Sequence, residues 1–150
     1  MESGEFIPLA IKTNWTGILV PAHMGKFSIA LRVPGPEVVF VACGTAAAQS
    51  KEAVRLLEDE GIKARVVKLK TIRPFPIEEL INATKNAKTI FVPEFNVVGW
   101  LEREVRRYLY KRSDADIIGA PRVAGGMTMP PEVIVKEVLK ILGKEVKHVI

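Results

Sequence analysis

The sequence predicts a three-layer α/β/α domain on a mostly parallel sheet of about five strands, with an antiparallel first edge strand. Three observations predict it. Short β-branched apolar runs alternate with amphipathic helical stripes from Glu37 onward. The first of these runs is unbroken rather than alternating, as in a strand covered on both faces. A tight Pro34-Gly35-Pro36 turn precedes it, and so makes the Phe27–Val33 segment antiparallel to its neighbours or places it on the edge.

Each element has its own local reason. Val38 to Cys43 is the unbroken run, and Gly44-Thr45 breaks it. A helix follows over Ala46–Glu60, with Ala46, Ala53, Val54 and Leu57 on one stripe and Gly61 at its C-terminal cap. Ala64–Leu69 forms the next strand. Pro74-Phe75-Pro76 closes the connection, Pro76 suiting a first helical position. Glu78 and Glu79 then favour the positive end of the helix dipole, and Ile77, Leu80, Ile81 and Thr84 supply the inward face. Lys88–Pro93 is a third strand, and Gly99–Arg112 a third helix with Leu101, Val105, Tyr108 and Leu109 on one face. A short strand lies at Asp116–Gly119 or at Pro121–Ala124. Gly125-Gly126 leads to a last helix from Pro131, striped by Ile134, Val138, Ile141 and Leu142, with Thr128 available as a cap. Residues 1–23 read as an N-terminal extension, and 24–150 as the domain.

The 150 residues are 48% hydrophobic and 26% charged, a balance that excludes intrinsic disorder. No apolar run approaches the roughly 20 residues of a membrane helix, and the first residues carry acids where a secretory signal carries bases. A cytoplasmic protein without membrane contact is the expectation. One cysteine, Cys43, leaves no internal disulfide and no cysteine-built cluster, and it reads as a small buried filler. The net charge of +5 permits nucleic-acid binding without demanding it, and no nucleic-acid partner is expected. The densest basic cluster, Arg103 to Arg112, reads as a solvated helix face with Glu102 and Arg106 paired four apart.

Chemistry in such a sheet collects beyond the carboxyl ends of the strands. Cys43-Gly44-Thr45, Lys70 to Pro74, and Glu94-Phe95-Asn96 occupy that edge. Gly44 and Thr45 free backbone N–H groups at a helix start, and with Arg73 nearby they could seat a small anion in a stand-alone binding module. No GxGxxG or GxxxxGK[ST] pattern is present. Glu94 and Asn96 stand just past a strand, where a carboxylate and an amide suit helix capping or a partner contact. Gly99 and Trp100 belong to the same surface, since an aromatic beside a glycine suits a contact better than solvent. His23 and His148 stand in no ligand spacing. The residues alone assign no catalytic, cofactor-binding or metal-binding group.

Val38 to Gly44, Lys51-Glu52-Ala53, Ala64 to Pro76 and Thr89 to Val92 resemble the C-terminal domain of transketolase-like enzymes. Met24 to Val33 is similar to that family's antiparallel edge strand, so the likeness spans about residues 24 to 142. Pro93-Glu94-Phe95-Asn96, Gly99, Glu104-Val105-Arg106-Arg107, Gly125-Gly126 and Pro131-Glu132 resemble the α subunits of 2-oxoacid:ferredoxin oxidoreductases. Trp100 stands where those subunits carry Gln. A 2-oxoacid dehydrogenase decarboxylase β subunit and transketolase itself share the broader likeness. The resemblance implies an assembly or partner-contact domain of an enzyme that oxidatively decarboxylates a 2-oxoacid to its acyl-CoA. It implies thiamine diphosphate, Mg²⁺ and iron–sulfur clusters in partner chains, none bound by this chain, and an inactive isolated chain within a homo- or hetero-oligomer.

Overall fold

The computed structural model describes residues 27–30 and 38–145. The expected extension over 1–23, the second half of the first edge segment, His23 and His148 lie outside the described residues. Five strands, β1 (Phe27–Ala30), β2 (Val38–Cys43), β3 (Ala64–Leu69), β4 (Thr89–Phe91) and β5 (Asp116–Ile118), form one sheet in the order β1-β3-β2-β4-β5. Among the described residues there are four helices: α1 (Gly44–Asp59), α2 (Ile77–Thr84) and α3 (Trp100–Leu109) link consecutive strands from β2 to β5, and α4 (Pro131–Ile141) follows β5. β1 runs antiparallel to β3, with Phe27 opposite Leu69 and Ala30 opposite Val66. The other neighbours are parallel. The expected edge strand and its direction are present.

The unbroken run in β2 has a plain cause. β2 is central, and Val38 to Ala42 are fully buried. Its alternate side chains feed opposite layers, because strand side chains alternate faces. Val38 and Phe40 pack with Leu57 of α1 and Ile134 and Val138 of α4. Val39 and Val41 pack with Leu80 of α2 and Leu101, Val105 and Leu109 of α3. Phe40 and Phe91 meet at a ring-centroid distance of 5.9 Å and tie neighbouring strands within the first layer. Helices therefore cover both faces.

Helix ends follow the sequence closely in some places and depart in others. α1 ends in a Schellman motif: Ile62 donates to the Leu57 carbonyl at 2.8 Å and Gly61 to Glu58 at 2.9 Å. Gly61 takes the left-handed conformation this needs, φ +76°, and Ile62 and Leu57 are both buried. α1 begins earlier than expected, at Gly44, because Gly44 adopts φ +54° and turns the chain directly off β2. Pro76 occupies the capping position of α2 rather than its first turn. α3 is shorter than expected, since Lys111 adopts φ 56° and ends it. Thr128 does not cap α4; Pro130 stands there with no side-chain cap, and Pro131 is the first helical residue. Of the two choices for the last strand, Asp116–Ile118 forms it. Beyond it, Arg122 bridges to Glu94 and extends the parallel pairing.

The chain passes from β2 outward to β3, then returns across the sheet to β4 on the other side of β2. The connections after β2 and β4 thus leave in opposite directions, and a crevice opens between them. Ligand and partner sites of open α/β sheets collect at such a switch point.

Candidate functional site

At that switch point lies an open cleft of about 350 Å³, lined by Cys43, Thr45, Ala46, Pro93, Glu94, Phe95 and Asn96. The strand ends deliver Cys43 and Pro93, and the first turn of α1 supplies Thr45 and Ala46. Cys43 is half-buried at the mouth of this cleft rather than wholly buried. Burial pushes its thiol pKa up, and the Glu94 carboxylate pushes it further in the same direction. Such a thiol stays protonated at neutral pH and is a poor nucleophile.

Glu94 is the organising residue. It is only 5% exposed, and its carboxylate reaches forward to the start of α3. Oε1 accepts from the Leu101 N–H at 2.7 Å, and Oε2 from the Glu102 N–H at 3.1 Å. These are the second and third N–H groups of α3, which have no partner inside the helix. A negative charge there also faces the positive end of the helix dipole. Asn96 completes the arrangement: its Nδ2 donates to Glu94 Oε1 at 2.9 Å, and its Oδ1 accepts from the Gly99 N–H at 2.8 Å. Of the two roles open to Glu94 and Asn96, capping is the one the hydrogen bonds occupy.

The cap holds the Phe95–Trp100 loop in an outward position. Val97 and Val98 are 64% and 55% exposed, Trp100 is 41% and Phe95 36%. Gly99 turns the chain into α3 at φ +69°, and a side chain there would collide with the Arg122 guanidinium. The Arg73 guanidinium lies 5.2 Å from the Trp100 ring centroid, and its Nη2 is 3.5 Å from Glu104 Oε1. Arg73 therefore joins Trp100 and the α3 surface. It does not line the cleft with Thr45, while the Glu94 carboxylate does, so the geometry does not favour an anion there.

Sequence reasoning missed the polar knot behind the loop. Glu102 is 8% exposed, so this part of α3 is not a solvated face. It pairs with Arg106 at 2.6 Å, the expected spacing, and also with Arg122 from the segment after β5. A Cβ at Gly119 would strike the Glu102 carboxylate and the Arg122 guanidinium, so a side chain there must displace that pair. Only the Glu102–Arg106 spacing was visible in the sequence. Among the described residues, no group of three or more His, Cys, Asp or Glu could hold a metal ion. Both oxygens of the buried cleft carboxylate are already committed to backbone N–H groups. No helix among the described residues is long and apolar enough to cross a membrane.

Residues 36–134 match the family model described as pyruvate:ferredoxin oxidoreductase core domain II. The chain belongs to this family. The 2-oxoglutarate synthase subunit KorA of Archaeoglobus fulgidus is 34% identical over 90 residues, covering 59% of this chain and 26% of that one. A solved 2-oxoglutarate:ferredoxin oxidoreductase from Magnetococcus marinus shares the fold at a TM-score of 0.64 and 22% identity, over 77% of this chain and 19% of that one. A split-gene transketolase, solved as an inactive β4 tetramer, matches at a TM-score of 0.62 and 25% identity, over 79% and 42%. The chain spans about a quarter of the length of the curated relatives it matches. Core domain II in this chain thus has the transketolase-like architecture that its sequence resembles.

Proposed function

We propose that this chain serves as the assembly and partner-contact domain of a thiamine diphosphate-dependent 2-oxoacid:ferredoxin oxidoreductase. In this reading it works beside other subunits, in an enzyme that converts a 2-oxoacid to its acyl-CoA and passes the electrons to ferredoxin. The family match and the named relative, a 2-oxoglutarate synthase subunit, support this chemistry. The observation that carries the contact role is the Phe95–Trp100 loop. Four large apolar side chains stand on it in water, while the buried Glu94 and the half-buried Asn96 fix it from behind. A soluble monomer gains nothing from a rigid exposed apolar ridge, whereas a binding surface does.

The described residues do not fit thiamine diphosphate and its metal. A pyrophosphate-bound cation needs a set of oxygen ligands, and no such set of acidic groups converges here. In this reading the cofactor, its Mg²⁺ and the iron–sulfur clusters sit in partner chains or domains. The contribution of this chain is to position them, since orientation and electrostatics are what the protein supplies to a cofactor reaction.

Sedimentation of the purified full chain, alone and mixed with the subunit that carries the thiamine-binding domains, tests the reading. A complex that Trp100→Ala weakens, with no turnover of a 2-oxoacid by the chain alone, is the expected outcome. A strictly monomeric chain that ignores that subunit, or one that decarboxylates unaided, contradicts it.

A further inference from the structure

The exposed face of α3 carries a second signal, of charge. Trp100, Arg103 and Arg107 are spaced three and four apart and fall on the solvent side, opposite the buried Leu101, Val105 and Leu109. Tyr110 and Lys111 continue this stripe in the turn after the helix, with Tyr110 70% exposed. The cations lie against aromatic rings: Arg107 stands 5.6 Å from the Tyr108 centroid, and Lys111 5.5 Å from that of Tyr110. Arg73 over Trp100 extends the pattern at the other end. Of the carboxylates near the stripe, Glu104 pairs with Arg73 and Glu78 lies 3.8 Å from Arg112. Among the described residues, Arg103, Arg107 and Lys111 have no ion pair of their own. The surface is thus apolar at the start of α3 and positively charged along the rest of it.

We infer that this stripe docks an acidic face of a different protein subunit, with the Phe95–Trp100 ridge as its apolar anchor. Charge decides between occupants. A second copy of this chain meeting the same stripe would set Arg103, Arg107 and Lys111 against their own like charges, which disfavours a symmetric contact. An acidic partner gains complementary pairs at the rim and an aromatic anchor at one end, the usual division of labour in an interface. The inference rests on the proposed contact role only through Trp100; the basic part of the stripe can fail or hold independently.

The test uses the full chain immobilised at low salt, with poly-L-glutamate as the acidic polypeptide probe and a DNA duplex of matched charge as a competitor. The triple variant Arg103→Glu, Arg107→Glu, Lys111→Glu should weaken poly-L-glutamate binding by about tenfold or more, and rising salt should erase the difference. An equal charge change on the other exposed surface, Lys51→Glu, Lys136→Glu and Lys140→Glu, should weaken it much less. Equal weakening by both triples reduces the effect to net charge and overturns the inference. DNA binding that is tighter and depends on the same stripe reassigns the surface to nucleic acid and also overturns it. Loss of self-association in the stripe variant would assign the face to a second copy. If Trp100→Ala leaves subunit assembly intact while the stripe triple still loses the acidic probe, the contact role of the ridge fails and the charge inference stands.

Discussion

Replacing Glu94 should loosen α3 specifically, and the structure sets the scale. Glu94→Ala removes the acceptor for two buried helix N–H groups and for Asn96 Nδ2. Losing one helix cap costs about 1 kcal/mol, and hydrogen bonds to a charged group are worth about 1.5–3 kcal/mol. Because the carboxylate is buried, water cannot fully replace it, and about 3 kcal/mol is the expected total. For a domain of this size that lowers Tm by about 6–12 °C. Glu94→Gln keeps an oxygen for one N–H but loses the charge facing the helix dipole, and should cost about 1–2 kcal/mol. Urea unfolding followed by circular dichroism gives the totals. Amide hydrogen exchange locates them, with Leu101 and Glu102 accelerating more than the amides of α1. A Glu94→Ala protein within about 0.5 kcal/mol of wild type would refute the capping argument.

Two more predictions concern single residues. Gly99→Ala should destabilise by about 1–2 kcal/mol through its left-handed backbone, and by more than Gly61→Ala, because only at Gly99 must Arg122 also move. Equal thermal shifts in the two variants would contradict this. The Cys43 thiol is held above its ordinary pKa of 9.0, first by burial and then by Glu94. The folded state therefore binds this proton more tightly than the unfolded chain. Its contribution is complete below the thiol range and is lost as pH rises through about 9 toward the folded value. Wild type should lose stability relative to Cys43→Ala on going from neutral to strongly alkaline pH, and iodoacetamide should label Cys43 slowly at pH 8. Labelling at the rate of a free thiol would show that the cleft does not bury it.

The parts of the fold legible in the sequence are those governed by local pattern. β2 reads as a central strand because both its layers are apolar, and the end of α1 reads correctly because a Schellman motif needs Gly61 at one place. The antiparallel edge position of β1 was expected, and it pairs with β3, not with the β2 strand that follows it in sequence. Thr128 misled because a cap depends on where the chain enters the helix, and two prolines set that entry instead. The proposed contact surface was legible as a segment, but the way it is held was not. Glu94 caps a helix from six residues before its first turn, a distance at which no local capping pattern signals it. Arg122 meets Glu102 only because β5 brings its following segment alongside β4, and no spacing in the sequence announces such a pair. The basic stripe on α3 was visible as composition, but its separation from the buried Glu102 needed the helix to be placed against the sheet.

The most direct test of the central claim is reconstitution of activity. The full chain, combined with the subunits that carry the thiamine-binding and iron–sulfur domains, is assayed for coenzyme A-dependent reduction of ferredoxin by 2-oxoglutarate, pyruvate or a branched 2-oxoacid. The account predicts no reduction by the chain alone, turnover of at least one 2-oxoacid by the complete mixture, and loss of that turnover when the chain is omitted or carries Trp100→Ala. Undiminished turnover without the chain, or turnover by the chain alone, would contradict it.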